Sequence, residues 1–167
     1  KDFNRALKLD STFYLAYNNR GSARYSNQNV ADASMIDLKM AEADFNKAIS
    51  LKPDFELAYR NRGIIKMYMD SLPVAYNDLL KATQMDPKDD KAHFYLAKVL
   101  FKQKNYPVAI QFYNNAIDLV NYNPDYYIDR GICKMEMQDF KAARKDFYQT
   151  MMISNEAKGR AYYEVAR

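Results

Sequence analysis

The sequence predicts an all-α protein built from repeated pairs of antiparallel helices. Three observations support this: segments that recur every 34 residues, apolar side chains at helical spacing, and few residues that form tight turns. The 167-residue chain has only four glycines and five prolines, which is low for a turn-rich β protein. Hydrophobic residues make up 49% of the sequence and charged residues 28%, so the composition is that of a globular protein.

The repeat is clearest where each predicted helix pair begins. Segments 16–21, 58–63 and 126–131 align with one another and each ends in Arg-Gly, while segment 92–97 is a degenerate copy. Gly63, Ala97 and Gly131 follow one another at intervals of 34 residues. Small residues at a crossing point let two helices approach closely, so we expect the two helices of a pair to cross at these positions.

A second pattern follows each of these segments and predicts the second helix of the pair. Its first small residue is an alanine in every copy: Ala41, Ala75, Ala109 and Ala143. Polar residues stand where this helix needs an N-cap, namely Ser71, Asn105 and Asp139. Pro73 and Pro107 fall in the first turn, where a missing N–H costs nothing. Pro53 and Pro87 follow the last turn and end the helix.

Together these residues resemble the tetratricopeptide repeat, in an Arg-Gly variant. That family repeats a helix–turn–helix unit of about 34 residues, and the resemblance covers nearly the whole chain. It implies a single right-handed superhelical solenoid over residues 1–167, with repeats at 14–55, 56–89, 90–123 and 124–157 and partial repeats at 1–13 and 158–167. A solenoid that begins and ends within a repeat exposes apolar end faces, so we expect the chain to be part of a longer array.

Residues at two positions of the repeat change together. Where the first helix carries Arg before its glycine, the second helix carries Asp; where the first carries Leu96, the second carries Phe112. We therefore expect three ion pairs within repeats: Arg20 with Asp44, Arg62 with Asp78, and Arg130 with Asp146. Leu96 and Phe112 are the expected apolar substitute. An alternative role for the arginines is a site for phosphate or carboxylate groups.

The first full repeat contains eight additional residues between Arg24 and Ala41. Residues 26–29 consist of Ser, Asn and Gln and are typical of a loop. From about Ser34, apolar residues at helical spacing predict two extra turns on the second helix. The insertion is either part of a binding face or a tolerated loop.

The sequence lacks catalytic and metal-binding motifs, so we expect neither an enzyme nor a bound cofactor. The only histidine, His93, occupies an aromatic position that tyrosine fills in the other repeats. The only cysteine, Cys133, excludes an intramolecular disulfide and fits a buried position in a first helix. No apolar run approaches the ~18 residues of a membrane span.

The resemblance also implies where a partner would bind, because the first helices of such repeats line a concave groove. The candidate groove residues are Asn18, Leu57, Arg60, Asn61, Ile64, Lys91, Phe94, Lys98, Phe101 and Ile128. Basic and aromatic residues are interleaved in the third repeat. Asn61 and Lys91 match two positions with which some family members clamp a C-terminal carboxylate, but the other clamp positions do not match, so we do not expect a chaperone clamp.

We therefore expect a scaffold that binds a protein or peptide segment, acidic or amphipathic in character, through this groove. Single-stranded RNA binding is the alternative, since related helical repeats read RNA. The net charge of +4 is too small to argue for it, and Asp125 and Glu136 interrupt a basic stripe. A passive spacer or regulatory domain of a larger enzyme is a third possibility. The sequence does not indicate a compartment or an oligomeric state.

Overall fold

The computed structural model describes residues 2–25, 33–154 and 157–166. This part of the chain contains ten helices and no strand. The chain divides into two compact units, Lys1–Pro87 and Lys88–Arg167. In the first unit the helices are α1 (Asp2–Leu9), α2 (Tyr14–Ala23), α3 (Met35–Leu51), α4 (Glu56–Tyr68) and α5 (Leu72–Met85). In the second they are α6 (Asp90–Lys102), α7 (Tyr106–Leu119), α8 (Pro124–Glu136), α9 (Phe140–Ile153) and α10 (Lys158–Ala166).

Consecutive helices form the predicted pairs. Helix α2 packs on α3 and α4 on α5 in the first unit, and α6 packs on α7 and α8 on α9 in the second. Neighbouring pairs meet through the second helix of one repeat and the first helix of the next, as α3 meets α4 and α7 meets α8. We call such a contact between repeats a seam.

Glycine is required where the two helices of a pair cross. A Cβ atom added at Gly63 would lie 2.6 Å from Leu79 Cγ, and one added at Gly131 would lie 2.5 Å from Phe147 Cε1. Both distances are far shorter than a van der Waals contact, and the facing side chains are themselves buried. The predicted crossing points are therefore confirmed.

The turns between the two helices of a pair repeat one backbone conformation. Asp70, Lys104 and Gln138 all have positive φ, with values of 57°, 61° and 63°. In each turn the next residue's N–H reaches back to a carbonyl in the preceding helix, as Asn105 N does to Leu100 O at 2.9 Å. This left-handed C-terminal turn normally takes glycine, so the three side chains are placed there at a conformational cost.

The N-caps of the second helices are only partly as predicted. Asp139 caps α9, because its carboxylate accepts a hydrogen bond from Ala142 N at 3.1 Å. Ser71 and Asn105 occupy the N-cap positions of α5 and α7, but their side chains make no capping hydrogen bond. In both helices proline stands second in the helix and so removes one of the N–H groups that such a cap would use.

The second helix of the first repeat is longer than the others by about one turn, not by two. Helix α3 has 17 residues, whereas α5, α7 and α9 have 14 each. Ser34 sets its start, because its hydroxyl accepts a hydrogen bond from Asp37 N at 3.1 Å. The predicted loop at 26–29 lies outside the described residues.

Candidate functional site

The structure brings together the three Arg–Asp pairs expected within repeats. Each arginine contacts both carboxylate oxygens of its aspartate, with N–O distances between 2.5 and 3.0 Å. The pairs are Arg20–Asp44, Arg62–Asp78 and Arg130–Asp146. The aspartate side chains are almost fully buried, and a planar guanidinium satisfies both carboxylate oxygens at once.

A third residue, not identified from the sequence, joins each pair. Nη1 of each arginine donates to an asparagine 16 residues earlier in the chain, at 2.7 to 2.8 Å: Asn4, Asn46 or Asn114. This asparagine lies on the second helix of the preceding repeat, so the arginine also connects neighbouring repeats. The signal was present in the sequence, because Leu80 stands 16 residues before Leu96 in the repeat that lacks the arginine.

An aromatic ring completes the set. Each guanidinium lies 5.4 to 5.6 Å from the ring centroid of a tyrosine three residues earlier: Tyr17, Tyr59 or Tyr127. We call each group of Tyr, Arg, Asp and Asn an arginine cluster. The hydrogen bonds with Asp78 raise the pKa of Arg62. Because these guanidinium groups are held inside the fold, their geometry is that of a clamp between helices.

A second cation adds to two of the clusters. Arg24 contacts Asp44 at 3.0 Å and Lys134 contacts Asp146 at 2.8 Å. Lys66, at the same position of the second repeat, instead contacts Glu42 of the preceding repeat at 2.5 Å. In the third repeat Leu96 is buried, and the ring of Phe112 stacks on His93 at a centroid distance of 5.9 Å. The contact between Leu96 and Phe112 stays a prediction.

The candidate groove residues of the first unit are largely closed off. Asn61 Nδ2 donates to Asn18 Oδ1 at 3.0 Å, and a longer contact of 3.4 Å joins it to Ser22 Oγ. Asn18, Asn61 and Ile64 are buried, so their assignment as contact residues is corrected. The two asparagines satisfy each other between α2 and α4, as buried polar groups must.

The two remaining candidates of this unit are half-buried. Leu57 packs against a core cluster formed by Ala48, Phe55 and Ala58. Arg60 lies beside the asparagines, with Nε 3.4 Å from Asn61 Oδ1. Of the five candidates in this unit, Arg60 therefore presents the largest polar group to the surface.

The second unit contains a pocket of about 320 Å³ on the side of its first helices. Its lining comes from α6, α7 and α8: Lys98, Phe101, Lys102, Tyr113, Asp129 and Ile132. Two of these, Lys98 and Phe101, are among the candidates from the sequence. Tyr113 is almost fully buried, and burial raises the pKa of its phenol, so the hydroxyl stays protonated at neutral pH.

Charge at this pocket is organised by Lys98. Its ammonium group lies 2.9 Å from Asp129 Oδ2 and 5.1 Å from the ring centroid of Phe94. Arg160 approaches the other oxygen of Asp129 at 3.5 Å. Lys102 adds a further, exposed cation at the rim. The pocket therefore combines apolar walls with an excess of positive charge.

The remaining candidates of the second unit do not line this pocket. Lys91 is exposed, and Phe94 is buried beneath Lys98. Ile128 is fully buried, so its assignment as a contact residue is corrected. It lies near Asp125 and Asp129 on α8, both of which contact Arg160 of α10. This stretch of α8 is therefore enclosed by its neighbours.

The reactive side chains of the chain are placed in structural positions. Cys133 is fully buried, and its thiol donates to Tyr106 O at 3.5 Å. Burial raises the pKa of this thiol to about 11, so it is a weak nucleophile at neutral pH. Among residues 2–25, 33–154 and 157–166, no group of His, Cys, Asp or Glu is placed to hold a metal ion. In the same part of the chain, no helix has the length and apolar character to cross a membrane.

Comparison with known sequences gives one family and one relative. Residues 60–124 match the family model described as tetratricopeptide repeat. The DnaJ homolog subfamily C member 7 homolog of Dictyostelium discoideum is 31% identical over 91 residues, which cover 54% of this chain. The match spans 16% of that relative's length, so only a small part of the relative corresponds to this chain.

Solved structures with the same fold share little sequence with this chain. YrrB, described as a TPR protein with an unusual peptide-binding site, superposes with a TM-score of 0.79 at 18% identity, over 99% of this chain and 80% of its own. MamA gives a TM-score of 0.78 at 18% identity, over 95% and 87%. The pilF protein of Pseudomonas aeruginosa gives 0.79 at 16% identity, over 92% and 66%. At these identities the similarity concerns the fold.

Proposed function

Because the chain is a tetratricopeptide repeat protein, a fold that serves in general as a scaffold for protein–protein interaction, we propose that it binds a segment of a partner protein in the pocket of its second unit. The pocket between α6, α7 and α8 is the observation that carries this proposal. Its volume of about 320 Å³ accommodates one or two side chains. YrrB, with the same fold, is a peptide-binding protein by its description, which supports the proposal by analogy.

The lining of the pocket indicates the chemistry of the partner. Phe101 and Ile132 offer apolar walls, and Lys98 and Lys102 place two ammonium groups at the rim. Asp129 balances one of these charges through its 2.9 Å contact with Lys98. An apolar side chain next to a carboxylate would fill the pocket and meet the remaining positive charge. The proposed partner segment is therefore amphipathic and acidic.

The structure offers less support for nucleic-acid binding. A single-stranded nucleic acid requires a continuous basic groove with exposed aromatic rings for stacking. In the second unit Asp125 and Asp129 interrupt the basic residues, and Phe94 is buried. The three arginines of the clusters are held by aspartates and asparagines within the fold. Protein binding is thus the function that the geometry favours.

A pair of charge-reversal variants tests the pocket. The double variant Lys98→Glu, Lys102→Glu is compared with the wild type in an affinity capture from source-cell extract, with identification by mass spectrometry. Lys47→Glu, at an exposed position of α3 in the other unit, controls for the change in net charge. We expect one protein to be enriched by the wild type and the control but lost with the pocket variant. Circular dichroism checks that all three proteins are equally helical.

Confirmation comes from the captured protein itself. Its acidic amphipathic segment, made as a peptide, should bind the wild type in calorimetry and bind the pocket variant about tenfold more weakly or worse, a change of ~1.4 kcal/mol. If the same proteins are captured by all variants, the pocket is not the binding site. If RNA is captured and the binding falls steeply with salt, the RNA alternative is correct instead.

A further inference from the structure

Helix α9 exposes a stripe of residues spaced four apart, on a side away from the pocket described above. We call this set the seam stripe: Phe140, Arg144, Tyr148 and Met152. Residues four apart lie on one face of a helix. The exposed fractions are 63% for Phe140, 53% for Tyr148 and 83% for Met152, and Arg144 is exposed as well. Large exposed apolar side chains that cluster in this way are typical of interaction sites.

The first unit shows what such a stripe does elsewhere in the chain. Leu38, Glu42 and Asn46 occupy on α3 the positions that Phe140, Arg144 and Tyr148 occupy on α9. They lie at the seam with α4. Leu38 is buried, Glu42 accepts a contact from Lys66 at 2.5 Å, and Asn46 accepts one from Arg62 at 2.7 Å. At this seam the second helix supplies acceptors and the following helix supplies cations.

On α9 the charge of the stripe is reversed. Arg144 replaces the acceptor Glu42, and Lys141 and Lys145 are exposed beside it. The only acidic residue within Phe140–Ile153 is Asp146, which is buried in an arginine cluster. In α10 the position of the cation Arg62 is taken by Glu164. The sequence of this seam therefore calls for carboxylates on the helix that faces α9.

Helix α10 leaves room beside the stripe. A pocket of about 430 Å³ is lined by Phe140, Lys141, Arg144 and Glu164, together with Met135, Ala143 and Phe147. Two cations and one carboxylate thus face the pocket, and its base consists of apolar side chains. Further carboxylates brought by another helix would meet positive charge that Glu164 alone does not balance.

We propose that the seam stripe and its pocket bind an acidic amphipathic helix of a partner protein. The stripe spans 12 residues, or about 18 Å of helix, which matches roughly three turns of a partner helix. Apolar side chains of that helix would pack on Phe140, Tyr148 and Met152. Its carboxylates would meet Arg144 and the flanking lysines.

Two other occupants fit the charges less well. A second copy of this chain would present first helices that carry Arg20, Arg62 or Arg130 at the seam, and these would meet Arg144 with like charge. An anionic lipid surface would meet the lysines, but it would also meet Glu164 at the pocket, where carboxylate and headgroup phosphates repel each other. A helix carrying carboxylates satisfies the cations without either repulsion.

A charge-swap experiment on the full chain tests this proposal. The probe is a fluorescent designed helical peptide of about 18 residues, the length that covers the stripe with one turn to spare, with leucines on one face and glutamates beside them. A matched peptide has lysine in place of every glutamate. We expect the wild type to bind the glutamate peptide and not the lysine peptide. Arg144→Glu should weaken the glutamate peptide about tenfold and improve the lysine peptide, since tenfold is ~1.4 kcal/mol.

Two further variants separate this site from the pocket of the proposed function. Tyr148→Ala removes an exposed apolar contact and should weaken binding of the glutamate peptide without a change in helicity. Lys98→Glu, Lys102→Glu should leave that binding unchanged, because both residues lie at the other pocket. The seam proposal therefore fails if this double variant, but not Arg144→Glu, abolishes binding.

The remaining outcomes also overturn the proposal. Equal binding of both peptides would show that charge does not select the occupant. Sedimentation that reveals self-association lost in Arg144→Glu would assign the stripe to a second copy. Capture by phosphatidylserine vesicles, without binding of the glutamate peptide, would assign it to a lipid surface. Binding of neither peptide, with no association and no capture, would show that the stripe is not a docking site.

Discussion

Each arginine cluster surrounds one buried carboxylate with donors from two or three helices. Asp146 is the richest case, because it accepts two contacts from Arg130 and one from Lys134, at 2.6 to 2.9 Å. Arg130 in turn donates to Asn114 at 2.7 Å. A buried ion pair adds little stability over an apolar pair of the same shape, but removing one partner leaves an unbalanced buried charge.

Asp146→Ala is therefore expected to destabilise the second unit by about 3 kcal/mol, because Arg130 would remain half enclosed without its carboxylate. Urea denaturation followed by circular dichroism measures the change. Lys134→Ala is the matched control, since it removes one exposed-side contact and should cost about 1 kcal/mol or less.

The third repeat supplies a compensating design for the same site. Replacing Asn114, Arg130 and Asp146 together by Leu, Leu and Phe copies the residues at positions 80, 96 and 112. This triple variant should recover most of the stability lost in Asp146→Ala. A triple variant as unstable as the single one would show that the cluster is not exchangeable for an apolar set.

Among the helices, the distance between partners is set by glycine. Gly131 faces Phe147, which is almost fully buried and cannot move aside. Gly159 in α10 has no neighbouring atom within 4 Å of an added Cβ. The two glycines thus differ in packing, although both lie in helices.

Alanine at these two positions should have opposite effects. Gly131→Ala should lower the free energy of unfolding by about 1–3 kcal/mol through overpacking against Phe147. Gly159→Ala should raise it by up to about 1 kcal/mol, because alanine is the better helix former. Thermal unfolding of both variants measures the difference. Equal shifts of the two melting temperatures would contradict the packing explanation.

The helices and their pairing could be predicted from the sequence because the repeat presents each feature several times. The Arg–Asp pairs could be inferred because Leu96 and Phe112 change together in one copy. The asparagine partners were missed because they lie in the preceding repeat. Burial of Asn18, Asn61 and Ile128 could not be read from their positions, because it depends on contacts with neighbouring helices. The start of α3 depended on a single cap at Ser34.

For the molecule as a whole, buried groups that lose a proton at high pH are concentrated in the second unit. Burial raises the pKa of Tyr113, Tyr126 and Cys133 above the ordinary values of such groups. The hydrogen bond with Asp90 adds to the effect at Tyr126. Since the folded state holds these protons more tightly than the unfolded state, the stability that they contribute is complete below about pH 9 and declines as pH rises.

The second unit should therefore lose stability in alkaline solution while its helices are still intact near neutral pH. The urea midpoint, measured from about pH 8 to about pH 11, should fall across this window, where unfolded thiols and phenols begin to ionise. Tyr113→Phe removes one ionisable group and should make the fall shallower. A midpoint independent of pH over this range would show that these groups ionise as readily in the folded protein as in the unfolded one.

The asparagine link between repeats changes what counts as one heritable unit of this chain. Copying residues 56–89 in tandem would place a new Arg62 after Leu80, whose side chain cannot accept a hydrogen bond. Copying residues 46–79 would carry Asn46, Arg62 and Asp78 together as one complete set. A gene that grows by duplication can thus extend this array only with breakpoints inside the second helices. The boundary at which a repeat can be copied is shifted from the boundary at which it folds.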